Sequence, residues 1–103
     1  MATTSIIGTE EKFNVHVAPI GDLHIIDYGF SVKAYSNNNA RVTIPKEDCI
    51  FVDDDNFIVR IDTNELGLGQ ITLEITALVP DSDFPDNLRT EITRCKTDTT
   101  IIP

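Results

Sequence analysis

Along most of the chain, apolar side chains recur at every second residue. In KFNVHVAPI (12–20), Phe13, Val15 and Val17 alternate with Lys12, Asn14 and His16. Successive side chains of extended backbone point to opposite sides, so this spacing predicts a strand with one wet face. YGFSVKAY (28–35) repeats it, with Phe30, Val32 and Ala34 against Ser31, Lys33 and Tyr35. FIVRID (57–62) sets Phe57, Val59 and Ile61 against Ile58, Arg60 and Asp62. QITLEITAL (70–78) is the clearest case: Ile71, Leu73, Ile75 and Ala77 turn inward, and Gln70, Thr72, Glu74 and Thr76 outward. ARVTI (40–44), CIFV (49–52) and RTEITRCK (89–96) are shorter candidates.

Clusters rich in Gly, Pro, Asn and Asp separate these runs, at residues 19–22, 36–39, 53–56, 67–69 and 80–87; such residues favour turns. Nothing sustains a helical period, and TNELGLG (63–69) offers a single short turn at most. About seven short strands at this spacing predict an all-β fold, an immunoglobulin-like antiparallel β-sandwich. The chain has no Trp, so the expected likeness to antibody domains is one of architecture alone.

Within 103 residues the expectation is one domain, residues 12–103, with a core able to fold without metals or disulfides. Residues 1–11 fall outside the strand pattern and read as a polar arm that orders on contact with a neighbouring chain. A net charge of −9, with eight scattered basic residues, argues against nucleic acid or an anionic membrane as partner, since both need clustered Lys and Arg. The opening MATTSIIGTEEKF lacks the basic and apolar regions of a signal peptide. With no export signal expected, Cys49 and Cys95 read as reduced thiols rather than a disulfide.

The stretch LVPDSDFPDNLRTEI (78–92) holds Asp81, Asp83 and Asp86 within six residues. Counted from Asp81 as an EF-hand loop, Pro85 occupies the fifth position, Asp86 replaces the glycine of the sixth and Ile92 the glutamate of the twelfth, so that motif fails. A looser calcium site is the sharp alternative. The plainer reading is a crossover between sheets, in which Asp81 and Asp83 accept backbone N–H bonds in Asx turns and Phe84 plugs the loop onto the core. VDDDNF (52–57) reads as a solvated turn, with Asp55 or Asn56 left-handed. His16 and His24 have no sequence neighbours that complete a triad, and GLG at 67–69 reads as a hairpin turn rather than a phosphate loop. The chain is therefore read as non-enzymatic and without cofactor. Absence of Trp also weakens a carbohydrate platform, because the Phe residues belong to the core.

At VDDDNFIVRIDTNELGLGQITLEI (52–75) and VPDSDFPDNLRTEI (79–92) the chain resembles a small β-sandwich domain of structural proteins in tailed bacteriophages of gut Bacteroidales, crAss-like phages among them. The matching features are Asp53 to Asp55, Asp62 and Thr63, Gly67 and Gly69, Ile71 to Leu78, and Pro80 through Glu91. The resemblance implies a virion protein made in the host cytoplasm, in many copies, contacting the major capsid or fibre protein. It transfers no catalytic residue. Such domains often stand at the start of fibre proteins, whereas this chain is expected to be self-contained at Pro103, which favours capsid decoration, cement or a fibre anchor. A tail or baseplate component, a carbohydrate-binding module and a secreted adhesion domain are the alternatives. The expected contact surface comprises residues 1–11, 80–89 and 99–103, with Thr3, Ile6, Ile7, Asp81, Asp83, Phe84, Asp86, Arg89, Ile101 and Ile102 as contact residues.

Overall fold

The computed structural model describes residues 3–36 and 40–103. Most of the expected turn at 36–39 and the first two residues of the polar head lie outside the described residues. Among the described residues there are eight strands: β1 (Thr3–Ile6), β2 (Glu10–His16), β3 (Gly29–Tyr35), β4 (Arg41–Pro45), β5 (Ile50–Asp53), β6 (Asn56–Asp62), β7 (Gly69–Pro80) and β8 (Leu88–Ile102). Short 3-10 turns at Ile25–Asp27, Lys46–Asp48, Thr63–Glu65 and Pro85–Asn87 punctuate them. There is no α-helix among the described residues.

Two sheets face each other as a sandwich. The larger has the order β1-β8-β7-β3-β4 and the smaller β2-β6-β5. All pairings are antiparallel except β1 with β8, which run parallel from Thr3↔Thr99 to Ile6↔Ile102. The alternation in the sequence sorts the side chains as expected. Phe57 and Val59 on β6 are fully enclosed, as are Val32 and Ala34 on β3 and Ile71 on β7. Phe57 lies 5.0 Å, ring centre to ring centre, from Phe30 of the opposite sheet and 5.5 Å from Phe51 of its own. Phe30 and Phe51 meet edge-on at 6.0 Å. Tilted and edge-on pairs at such separations align the positive ring edges with the negative faces, which adds to the gain from burying the rings.

Several expectations are corrected. Part of the head is not a free arm: β1 is a strand of the larger sheet, and Glu10 and Glu11 already belong to β2. Thr4 and Ile6 are exposed but Ser5 is buried, and its Oγ donates to Glu11 Oε1 at 2.9 Å, tying the two sheets. Gly8 permits the sharp reversal between them. Its φ is +101°, while a Cβ there would meet nothing closer than 3.8 Å, so backbone geometry rather than space demands glycine.

The stretch at 80–87 does not cross between sheets; it joins β7 to β8 as neighbours in one sheet. The connections that do pass between the sheets are β1 to β2, β2 to β3, β4 to β5 and β6 to β7, the last of them through the 63–68 segment. Gly67 (φ +80°) and Gly69 (φ +122°) therefore serve that crossover rather than a hairpin. Thr63, fully buried, fixes its start: its Oγ1 donates to the Thr9 carbonyl at 2.8 Å and accepts from the Gly8 N–H at 2.9 Å. Its end is held by Ser36 Oγ, which donates to the Leu66 carbonyl at 2.8 Å.

Because Phe57 joins both layers of the core, Phe57→Ala is expected to lower unfolding free energy by about 3–5 kcal/mol. Phe84→Ala, on a side chain 44% exposed, is expected to change it by no more than about 0.5 kcal/mol. Urea denaturation of the two variants checks the contrast.

Candidate functional site

The acidic loop is a turn built from its own side chains. Asp81 N–H donates to the Asn87 carbonyl at 2.9 Å, and Asn87 N–H to the Phe84 carbonyl at 3.0 Å. Asp81 Oδ1 accepts the Asp83 N–H at 3.0 Å, the Asx turn expected of it. The reversal is completed by Asp86 (φ 60°) and Asn87 (φ 59°) in the left-handed region, which Asp and Asn tolerate better than other non-glycine residues. Asp81 Oδ2 then accepts Arg89 Nη1 at 2.7 Å, and Arg89 Nη2 reaches Glu91 Oε1 at 3.1 Å. These partners occupy both oxygens of the Asp81 carboxylate. Phe84 is not a plug: it stands 44% exposed at the tip. The turn leaves it no core to reach, since the core side of the hairpin ends at Val79.

The second acidic turn is also local. Asp53 Oδ1 accepts Asp55 N–H at 2.9 Å and Asn56 Nδ2 at 2.8 Å. Those bonds, the Asn56 amide first, hold the Asp53 carboxyl below its ordinary pKa. Asp55 and Asn56 are not left-handed; among the described residues, positive φ outside glycine falls only on Asp86 and Asn87. A register irregularity between Phe51 and Asp53 bends β5 into the turn instead, as a bulge does. Asp55 points back to the segment after β2, where its Oδ1 lies 2.6 Å from His24 Nδ1. Its carbonyl accepts Val17 N–H at 2.9 Å. Among the described residues, no three of His, Cys, Asp and Glu converge as a metal-holding group.

The expected contact residues fall at two poles. Thr3, Ile6, Ile101 and Ile102 lie together, where β1 pairs with the end of β8. Ile101 is buried there, while Ile6 is 62% exposed and Ile7 38%. Asp81, Asp83, Phe84, Asp86 and Arg89 lie at the other end. A strand of fifteen residues such as β8 spans roughly 45–50 Å, close to the longest dimension of the molecule, 48 Å.

Two features were missed. On the outer face of the β7–β8 hairpin, Leu78 (43% exposed), Leu88 (42%) and Ile92 (58%) are exposed, as is Phe84 at the tip. Their registers, Leu78↔Thr90, Pro80↔Leu88 and Thr76↔Ile92, place them on one side. The second is a cleft of about 720 Å³ between β2 and β8, floored by Leu73, Ile75 and Tyr28 and flanked by Val15. Its sequence signal is RTEITRCK, whose inward positions Glu91, Thr93 and Cys95, set opposite Ala77, Ile75 and Leu73, are not large apolar residues. A strand that turns such residues toward the core is one the opposite sheet leaves uncovered.

No family model, no curated protein and no solved structure matches this chain.

Two measurements check the local chemistry. The Asp55 hydrogen bond is the main cause that raises the His24 pKa above its ordinary 6.5, so the fold favours the imidazolium. That contribution is fully present below pH 6.5 and is lost as pH rises through the raised folded value. The thermal midpoint of Asp55→Asn should fall furthest behind the parent protein in the acidic range and approach it in mild alkali. Separately, burial pushes the Cys49 thiol up to about 11, whereas Cys95 is free and exposed. Alkylation at neutral pH should modify Cys95 alone in the folded protein and both thiols in denaturant, read by intact mass.

Proposed function

We propose that this chain is a non-enzymatic structural protein of a tailed-phage particle, an auxiliary capsid protein of the decoration or cement type or an anchor for head fibres, built on an immunoglobulin-like sandwich. The sequence resemblance at 52–75 and 79–92 suggests the particle. The observation that carries a docking role is the apolar side of the β7–β8 hairpin, where Leu78, Leu88 and Ile92 are exposed on one face and Phe84 at the tip. Exposed apolar side chains grouped beside polar ones mark contact surfaces better than scattered ones do. The strand order supports the immunoglobulin-like reading: β2-β6-β5 corresponds to three strands of the four-stranded layer of such folds, and β8-β7-β3 to the three strands of the opposite layer, with β4 added at its edge.

A sugar platform finds less support. Tyr28 is buried, and the Arg41 guanidinium covers Tyr35 at 4.2 Å from the ring centre, so neither tyrosine offers an open face for stacking.

Removing residues 1–11 would delete β1 and the start of β2, so a truncation would test folding rather than docking. Point substitutions separate the poles. Phe84→Asp with Leu88→Asp is expected to lower occupancy on particles at least about tenfold while circular dichroism stays unchanged. Full occupancy would refute the hairpin as the contact, and Ile6→Asp puts the same question to the opposite pole. Mass spectrometry of purified particles fixes the position: a copy number in the hundreds fits capsid decoration, and about a dozen fits a portal, tail or baseplate.

A further inference from the structure

The two sheets are unequal, and the consequence falls on one side. Five strands face three, so the small sheet has no strand to lie over β8. Among the described residues β2 pairs with β6 only, so along Glu10–His16 half of its backbone N–H and C=O groups turn to an open edge. β8 is open on the same side: β1 covers it only at 99–102. Between the two edges lies the cleft, with the aliphatic side chains of Leu73 and Ile75 at its floor. The Ser5–Glu11 bond closes the end next to β1. The result is a slot with an unpaired strand edge along it and apolar surface beneath.

We propose that this slot accepts an extended segment of a partner protein, about five to seven residues long, which adds to the free edge of β2 as a fourth strand and closes the sandwich. Its side chains would alternate, apolar toward the cleft and polar toward solvent, because the pleat sends successive residues to opposite faces. Charge selects its source. A second copy of this domain brings another −9 and is repelled, whereas a segment with basic flanks is drawn in. The outer face of β8 adds to the discrimination. Arg94 is held by Glu74 at 2.7 Å and Lys96 lies two residues on, and charged side chains on an edge discourage open-ended self-pairing. The inference deepens the docking role proposed above and rests on it for its biological partner. Its geometry is independent of the hairpin patch, so the two can fail separately.

The test uses isotope-labelled intact protein and a panel of seven-residue peptides: KVTVTVK, the version with its apolar positions shifted by one, and KVTVTVK N-methylated at alternate residues. Amide exchange in Glu10–His16 is expected to slow at least about tenfold at about millimolar KVTVTVK. The N-methylated form should have no effect, because its side chains are the same and its edge donors are gone. Thr93→Arg places a long cation in the cleft from an exposed position. It should abolish the protection while leaving the circular dichroism unchanged. The proposal is overturned if neither unmethylated peptide slows exchange in β2, or if the N-methylated peptide protects equally. It is also overturned if β2 becomes protected with rising concentration of the protein alone, which would make a second copy the occupant. Particle binding that survives such a result would belong to the hairpin, and a silent hairpin with a working slot would be equally distinct.

Discussion

The contact of Phe57 with Phe30 and Phe51 couples the two sheets, and it does so on one side of the molecule. Phe51 and Phe57 belong to β5 and β6 and Phe30 to β3, so the aromatic cluster locks the layers where the small sheet lies over the middle of the large one. Across the remaining width, towards β2 and β8, the partly buried Phe13, Val15 and Val17 pack against the core, and at one end Ser5 bonds Glu11 while Thr63 bonds Gly8 and Thr9. Dense packing of large rings resists shear far better than single hydrogen bonds do, since each ring makes many short contacts at once. The layers are therefore packed most densely where β5 and β6 lie over β3, and the cleft opens on the other side, between β2 and β8.

Much of this was legible because the strand period is strict. Ile71, Leu73, Ile75 and Ala77 are buried as the alternation requires, since a one-residue slip would expose the whole set. What failed had non-local causes. β1 was invisible because TTSI carries one large apolar residue, Ile6, and that residue faces solvent; its strand character comes from pairing with Thr99–Ile102, ninety-six positions away from each partner in register. The connections at 67–69 and 80–87 were exchanged for a related reason. Gly-rich and Pro/Asp-rich turns look alike as punctuation, and the choice between a hairpin and a crossover is made by which strands pair, which turn chemistry does not encode.

The acidic residues show the same limit at the scale of side chains. Asp81, Asp83 and Asp86 are equivalent as letters, yet they take three different roles. Asp81 caps a turn and pairs with Arg89, Asp83 supplies the N–H that Asp81 accepts, and Asp86 is placed by its backbone. Only Asp81 was assigned a role that its geometry bears out in full. The Arg89 partner lies eight residues on and within reach only because β7 and β8 are adjacent. A cluster of acids in sequence was thus a description of composition; the turn is made by local backbone and Asx bonds, and Arg89 from the next strand adds an ion pair to one of the three.

The same reasoning explains why the polar inward positions of β8 matter more than its apolar outer ones. An apolar residue on an outer face, such as Ile92, has many ordinary explanations, because much of any protein surface is apolar. Residues turned toward the core over a neighbouring strand of Leu73, Ile75 and Ala77 are harder to place, for Glu91 and Thr93 keep access to water there only while nothing lies above them. A large apolar residue at these positions would close such a gap by packing. Polar and small side chains leave it open, and an open gap beside two unpaired strand edges has the shape of the element that is missing from it.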